Sequence, residues 1–354
     1  MKAAAGARLA SIDALRGVTV AAMLLVNNPG DWNHVYAPLR HARWHGLTPT
    51  DLIFPFFLFL VGVSLAFSVA SRAGEAARRP ALARGVLQRA ARILIAGVVL
   101  HVLAWWLLSL PHFRLWGVLQ RIAVCAAAAG LMAVWLRPRA QLGVLGLLLA
   151  VHAGVLLGAA SLQPLQDPGS RLDTALFAPW LYQYDALTGR GHDPEGLLST
   201  LGAVATTLLG LRAGDLLRHG ELRALGLAGA ALLITGLLGA QVLPLNKALW
   251  TPSFVALTGG IAALALLGAH VLVDRHRAPA CGRCFGVNAI TAYLGSSVLA
   301  LGLIASGAWA HLNGWLAGWM QDPAQASLAC ALLFVALWWA LVRALDARGI
   351  HVRI

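Results

Sequence analysis

The residues of this chain whose types and spacing could do chemistry are concentrated between Asn27 and Asp51. Asn27 and Asn28 are followed by His34, Arg40, His41, Arg43, His45 and Asp51, and this polar run separates two long apolar stretches. Ionisable groups beside a bilayer are costly to keep and mark function more often than packing. His41 stands at the centre. A neutral imidazole can take a proton from a nucleophile or attack an activated acyl group itself. Arg40 and Arg43 on either side should disfavour its protonated form. An interfacial histidine bonded to water or headgroups is the bland alternative. Asn27 could orient His41 or donate to a developing oxyanion, or could simply end a helix ahead of Pro29 and Gly30. Asp51 could hold the imidazole, or could cap the next helix within Thr48-Pro-Thr-Asp. Trp44 and His45 are candidate substrate contacts. No HExxH-type pattern or added carboxylate completes a metal site around His34, His41 and His45, so no metal is expected.

Other polar residues stand where apolar ones are expected. Asp13 and Arg16 form an i, i+3 pair near the start of the first apolar stretch. Gln120 and Arg121 lie within the fourth, and an arginine there demands a partner or an anionic ligand. Asp193-Pro-Glu195 reads as the entry to a helix, with Glu195 near enough to a mouth to touch substrate. Asn246, Lys247 and Asn288 lie beside later stretches. Cys125 and Cys330 read as small apolar residues. The lone Cys281-Gly-Arg-Cys284 lacks the second pair of a zinc site and the βαβ setting of a redox site. Neither a Walker loop nor GxGxxG is present, which argues against nucleotide-driven pumping.

These groups need elements to position them. Of 354 residues, 59% are hydrophobic and 12% are charged. About ten runs are long enough to cross a bilayer as helices, near 12–29, 50–71, 85–109, 115–136, 141–160, 194–217, 222–240, 250–273, 286–304 and 324–345. They are continuous and rich in Leu and Ala, unlike the alternating strands of a barrel. The expected fold is an all-α integral membrane protein built as one domain over 1–354. The first span makes a poor signal peptide, since no small-residue cleavage site follows a short core. The net charge of +13 is a topology signal rather than a nucleic-acid footprint. With the N-terminus in the cytoplasm, the outer segments hold only Arg40, Arg43, Arg114, Arg171, Arg190 and Lys247. Apart from Arg121 within a span, the other cations, including Lys2, Arg8 and Arg353, fall inside, which is the positive-inside pattern with both termini cytoplasmic. The 161–193 loop is then extracytoplasmic, and its Trp180, Tyr182 and Tyr184 form an interfacial belt or a sugar-stacking lip.

The blocks RLASIDALRG (8–17), VNNPG (26–30), HARWHGLTPTDLIFPFFLFLVGVS (41–64), WGVLQRIAV (116–124), DPEGLLSTLGAVATTLLGLRAG (193–214), PLNKALWTPSFV (244–255) and FGVNAITAYLGS (285–296) resemble, in order, the heparan-alpha-glucosaminide N-acetyltransferase family. The resemblance runs over nearly the whole chain. It implies a polytopic acyltransferase that takes acetyl from cytosolic acetyl-CoA to a glycan across the bilayer. The family's active-site histidine falls on His41, its motif asparagine on Asn27 and its motif aspartate on Asp51. Its Gln-Arg pair falls on Gln120 and Arg121. The chain departs from the lysosomal members in carrying His45 where they have asparagine and in lacking their long N-terminal luminal region. Cytoplasmic arginines would grip the CoA phosphates, with Arg16, Arg89, Arg92, Gln120, Arg121 and Asn288 as donor-site candidates. Trp44, His45, Glu195, Asn246 and Lys247 are acceptor-site candidates. Expected partners are acetyl-CoA, an extracytoplasmic amino sugar or glycan, and membrane lipid, in a bacterial cytoplasmic membrane; a homodimer is left open. The rival reading is a transporter of a sugar or lipid-linked glycan that transfers no acyl group.

Overall fold

The computed structural model describes residues 9–352; Lys2, Arg8 and Arg353 of the charge pattern lie outside them. The first half contains α1 (Ala10–Asn27), α2 (Pro49–Ser68), α3 (Arg79–Leu107), α4 (Val118–Trp135) and α5 (Pro138–Leu157). A short α6 (Pro168–Phe177) and a hairpin of β1 (Gln183–Asp185) and β2 (Arg190–His192) follow. The second half contains α7 (Leu197–His219), α8 (Leu222–Gly239), α9 (Pro252–Ala269), α10 (Arg283–Val287), α11 (Ala289–Ala305), α12 (Ala308–Ala317) and α13 (Pro323–Ala347). Among the described residues nine helices are long and apolar enough to cross a membrane, and α11 with α12 makes a tenth candidate bent by 80°. The chain is thus an all-α multi-pass membrane protein.

Three features depart from the expected spans. The third helix begins at Arg79 rather than near residue 85, because Pro80 fits its first turn. The expected span at 286–304 is broken at Asn288, which ends α10 and begins α11. After α11 the chain turns at Gly307, whose φ of +75° suits glycine, into the ten-residue α12. At about 1.5 Å per residue that helix is too short to cross. Its exposed Trp315, with Trp319 just beyond it, are amphipathic rings of the kind that sit at headgroup depth.

α7 is the central helix: 83% of its most apolar window is buried, against 17% for α3 and α8. It packs on α2 through small residues that let the backbones touch. A Cβ on Gly62 would stand 1.9 Å from the Thr207 carbonyl oxygen, and one on Gly210 would stand 1.9 Å from that of Phe59. In lipid such close packing, rather than water expulsion, holds helices together. This contact holds the middle of α2, the helix that begins beside Asp51, against α7.

The 161–193 segment is ordered rather than a plain loop. Asp167 caps α6 by accepting from Ser170 N at 2.8 Å. β1 and β2 pair antiparallel, with Tyr184 opposite Gly191. Trp44 Nε1 donates to the Leu162 carbonyl at 2.7 Å and its ring meets that of His192 edge-on at 5.3 Å. The segment is thereby docked on the polar hairpin between α1 and α2.

Candidate active site

The hairpin is built from local rules. Asn28 Nδ2 donates to the Leu24 carbonyl at 2.8 Å and closes α1, which leaves the exposed Asn27 free of that task. Thr48 enters α2 in extended conformation. Asp51 Oδ2 accepts from Thr48 N at 3.0 Å, Thr48 Oγ1 at 3.0 Å and Ala42 N at 3.1 Å. The other oxygen, Oδ1, accepts from His41 Nδ1 at 2.7 Å. Capping and orientation, open alternatives in the sequence, are carried by the two oxygens of one buried carboxylate. An ionised carboxylate only accepts, so Nδ1 bears the proton and Nε2 keeps a lone pair. The His41 side chain is 47% exposed and Asp51 is 1% exposed: a fixed base of support beneath a reachable ring.

Arg40 does not meet this ring. Its Nε donates to the Val35 carbonyl at 2.6 Å and its Nη2 to that of Asn33 at 3.3 Å. The cation that does meet it is Lys247, whose Nζ lies 3.2 Å from both Nδ1 and Nε2. Lys247 stands in a turn before α9 that is clipped to the hairpin. Gly46 N donates to the Leu245 carbonyl at 2.8 Å, and Asn246 Nδ2 reaches His45 Nδ1 at 3.2 Å. Asn246 is buried and its Oδ1 accepts from Leu249 N at 2.8 Å. Burial pushes the Lys247 amine below the ordinary lysine range, against the pull of Glu195 and Asp51. Burial also lowers His45.

A second charged layer lies beside this pair. Arg114 Nε and Nη2 donate to both oxygens of Asp193 at 3.0 and 2.7 Å, and Nη2 also reaches Glu195 Oε2. Burial pushes the Glu195 carboxyl up, but Arg114, Arg121 and Lys247 outweigh it and hold it below the usual carboxylate range. Arg121 is fully buried, with Nη2 donating to the Gly196 carbonyl and Ser199 Oγ and its guanidinium 5.2 Å from the Trp250 ring centre. Gln120 Nε2 donates to the Leu115 carbonyl at 3.1 Å. Arg114 was absent from the candidates read in the sequence, although its signal was there. It is a cation on the cation-poor side, and Asp193 and Glu195 are its natural counter-charge.

Two cavities share one helical seam. One of about 250 Å³ is lined by Asn27, Asn28, His101, Tyr293, Ser296 and Ser297, among others. Asn27 faces this cavity and, among the described residues, makes no hydrogen bond to His41. The other, of about 530 Å³, opens toward the opposite end of the bundle and is lined by Arg16, Ser64, Arg89, Ile290, His351 and apolar neighbours. Both cavities are walled by α1, α3 and α11. From Arg16 to Asn27 along α1 the rise is about 16 Å. Arg16 Nη2 donates to Ser64 Oγ at 2.7 Å. Arg92 is exposed and outside the lining, which Arg89, one turn earlier on α3, helps to form. Gln120 and Arg121 belong to the His41 end, not to this cavity. Asn288 is buried at the break between α10 and α11, between Val287 and Ala289, which line the cavity, and among the described residues neither of its amide atoms has a partner. His34 pairs with Asp31 at 2.6 Å, and among the described residues no three His, Cys, Asp or Glu side chains converge as a metal would require.

The comparisons with known proteins agree with the blocks quoted above. The human protein named heparan-alpha-glucosaminide N-acetyltransferase is 27% identical over 356 residues, covering 82% of this chain and 53% of its own. The mouse protein of the same name is 26% identical over 355 residues, covering 82% and 54%. The chain therefore spans about half the length of the curated relatives it matches. The family model described as heparan-alpha-glucosaminide N-acetyltransferase, catalytic, matches residues 8–245, well over half of the chain and the whole of the His41 hairpin. The chain belongs to that family.

Proposed function

We propose that this protein is an acyl-CoA-dependent transmembrane acetyltransferase of the EC 2.3.1 type. It passes an acetyl group from cytosolic acetyl-CoA to an extracytoplasmic amino sugar or glycan hydroxyl through His41. One observation carries the reading. A histidine with its tautomer set by a buried carboxylate stands at one end of the bundle. At the other end, on the helices that also bear Asn27, a cavity presents Arg89 beside two paired cations, Arg16 with Asp13 at 3.1 Å and His351 with Asp346 at 2.8 Å. That cation set suits the phosphates of CoA, and the smaller cavity of about 250 Å³ further along α1 suits the acyl end of the arm rather than a nucleotide. The arginine excess at the cavity end supports a cytoplasmic mouth, with both termini on that side and the chain in a bacterial cytoplasmic membrane.

In this reading the thioester carbonyl meets His41 Nε2. Nε2 either attacks the carbonyl carbon, expelling CoA as thiolate, or takes a proton from the acceptor as the acceptor attacks. Asp51 stabilises the positive ring that either step creates. Asn27, in the seam, donates to the carbonyl oxygen as negative charge develops there. His45, Trp44, Asn246 and Glu195 border the acceptor.

The test is thiol release from acetyl-CoA by detergent-purified protein, with and without glucosamine. Acceptor-dependent release supports the reading; no CoA release by folded protein, with sugar uptake by proteoliposomes that carry it, marks a transporter and ends it. Within the same assay, Arg89→Ala should raise KM for acetyl-CoA about tenfold, equivalent to about 1.4 kcal/mol, and leave kcat within about twofold. Arg92→Ala is expected to change neither.

A further inference from the structure

The position of Lys247 relative to the His41 ring has a chemical consequence. Nζ is 3.2 Å from Nδ1 and 3.2 Å from Nε2. No point equidistant and that close lies in the ring plane without striking Cε1, which stands between the two nitrogens on that side. The amine therefore sits over a face of the imidazole, and the in-plane lone pair of Nε2 stays open. An acyl group carried on Nε2 would conjugate with the ring and lie in its plane. Its carbonyl carbon would then be open to attack from above or below, and Nζ, 3.2 Å from the nitrogen that would bear it, already stands on one of those faces, a side-chain rotation away from a near-attack arrangement of about 3–3.5 Å.

We infer that Lys247 is a second acyl site: in the absence of acceptor, an acetyl group on His41 Nε2 passes to Lys247 Nζ. This rests on the acyl-CoA reading above. In the first step Nε2 forms a bond to the thioester carbonyl carbon and the C–S bond breaks, releasing CoA as thiolate. In the second, the neutral Nζ attacks that carbon and the C–Nε2 bond breaks with its electron pair returning to Nε2. A proton leaves Nζ for the thiolate through Nε2. The products are CoA thiol and an Nζ-acetyl-lysine amide. Burial of Lys247, which favours its neutral amine, supports the second step. Arg121 acts in the same direction, while Glu195 and Asp51 oppose it. The other lysine of the chain, Lys2, is remote in sequence and serves as an internal control for random acetylation.

The experiment treats the detergent-purified protein with isotope-labelled acetyl-CoA and no acceptor. CoA thiol is counted and the Lys247 peptide is read by mass spectrometry. The expected result is one hydroxylamine-resistant acetyl on Lys247, absent in Lys247→Arg and in His41→Gln, and diminished when glucosamine competes. His41→Gln is accepted as folded only if it elutes as a single species and binds acetyl-CoA like the wild type. CoA release with Lys247 unlabelled would overturn the relay and leave the acyltransferase reading standing. Equal labelling of Lys247 in His41→Gln would also overturn it, since the acetyl then comes directly from CoA. A wild type that neither binds nor cleaves acetyl-CoA would remove the functional reading, and the relay with it.

Discussion

His41→Ala is expected to lower acetyl transfer by about 10³-fold or more, the scale on which a positioned base or nucleophile acts, while acetyl-CoA binding stays near wild type. The two readouts separate because the groups involved lie at opposite ends of the seam. Arg16, Arg89 and His351 line the donor cavity, and none of them contacts His41. The variant should also fold. The His41 side chain is 47% exposed and outside the apolar core, and Asp51 keeps three donors from Thr48 and Ala42 when the ring is removed. The measurements are thiol release under saturating donor and a parallel binding isotherm. Turnover near wild type in a variant that binds donor normally would remove His41 from the chemistry.

Asp51→Asn is expected to be almost as severe, and for a reason the geometry makes specific. Three hydrogen-bond donors converge on Oδ2, from Ala42 N, Thr48 N and Thr48 Oγ1. In the variant only the amide oxygen can accept from them, so the amide nitrogen is forced into the Oδ1 position facing His41. A nitrogen donor there makes Nδ1 the acceptor and moves the ring proton to Nε2. The lone pair that does the chemistry is then gone, although every atom is nearly where it was. A change of the same kind in the serine-protease triad costs about 10⁴ in kcat, and a kcat loss of about 10³–10⁴ is expected here with little change in KM for the donor. Asp51→Ala should turn over faster per folded molecule than Asp51→Asn, because it frees the tautomer instead of fixing the wrong one. It should also be less stable, because three donors lose their acceptor. Equal turnover in the two variants would contradict the tautomer argument.

The spans were legible because hydropathy over about 20 residues is set by the bilayer and not by tertiary context. The bend into α12 was not, since ten residues ending near Trp315 and Trp319 read equally well as a loop or a span end. The Asp51–His41 pair was half legible: its spacing permits capping and orientation alike, and only the placement of both oxygens shows that one carboxylate does both. Lys247 and His41 are 206 residues apart, so no periodicity joins them; what brings them together is the Gly46–Leu245 and His45–Asn246 clip. Arg89 and Arg92 share a helix and a charge, and which of them faces the seam depends on α1 and α11, which local sequence does not encode. Gln120 and Arg121 read as donor-site candidates because an arginine within a span calls for a partner or an anionic ligand. Arg121 is in fact held by Gly196, Ser199 and Trp250 at the His41 end.

The central claim is that the acetyl group crosses the bilayer within this protein, and vectorial assay of sealed proteoliposomes tests it most directly. Protein is reconstituted with glucosamine trapped inside, labelled acetyl-CoA is added outside, and the lumen is sampled after the external medium is removed. Liposomes without protein and those with His41→Ala serve as controls. The account predicts His41-dependent N-acetylglucosamine in the lumen, from molecules inserted with their arginine-rich ends outward. Acetylated sugar formed only when donor and acceptor share a compartment would contradict transfer across the membrane, and unmodified luminal sugar beside intact donor would contradict the acyltransferase itself.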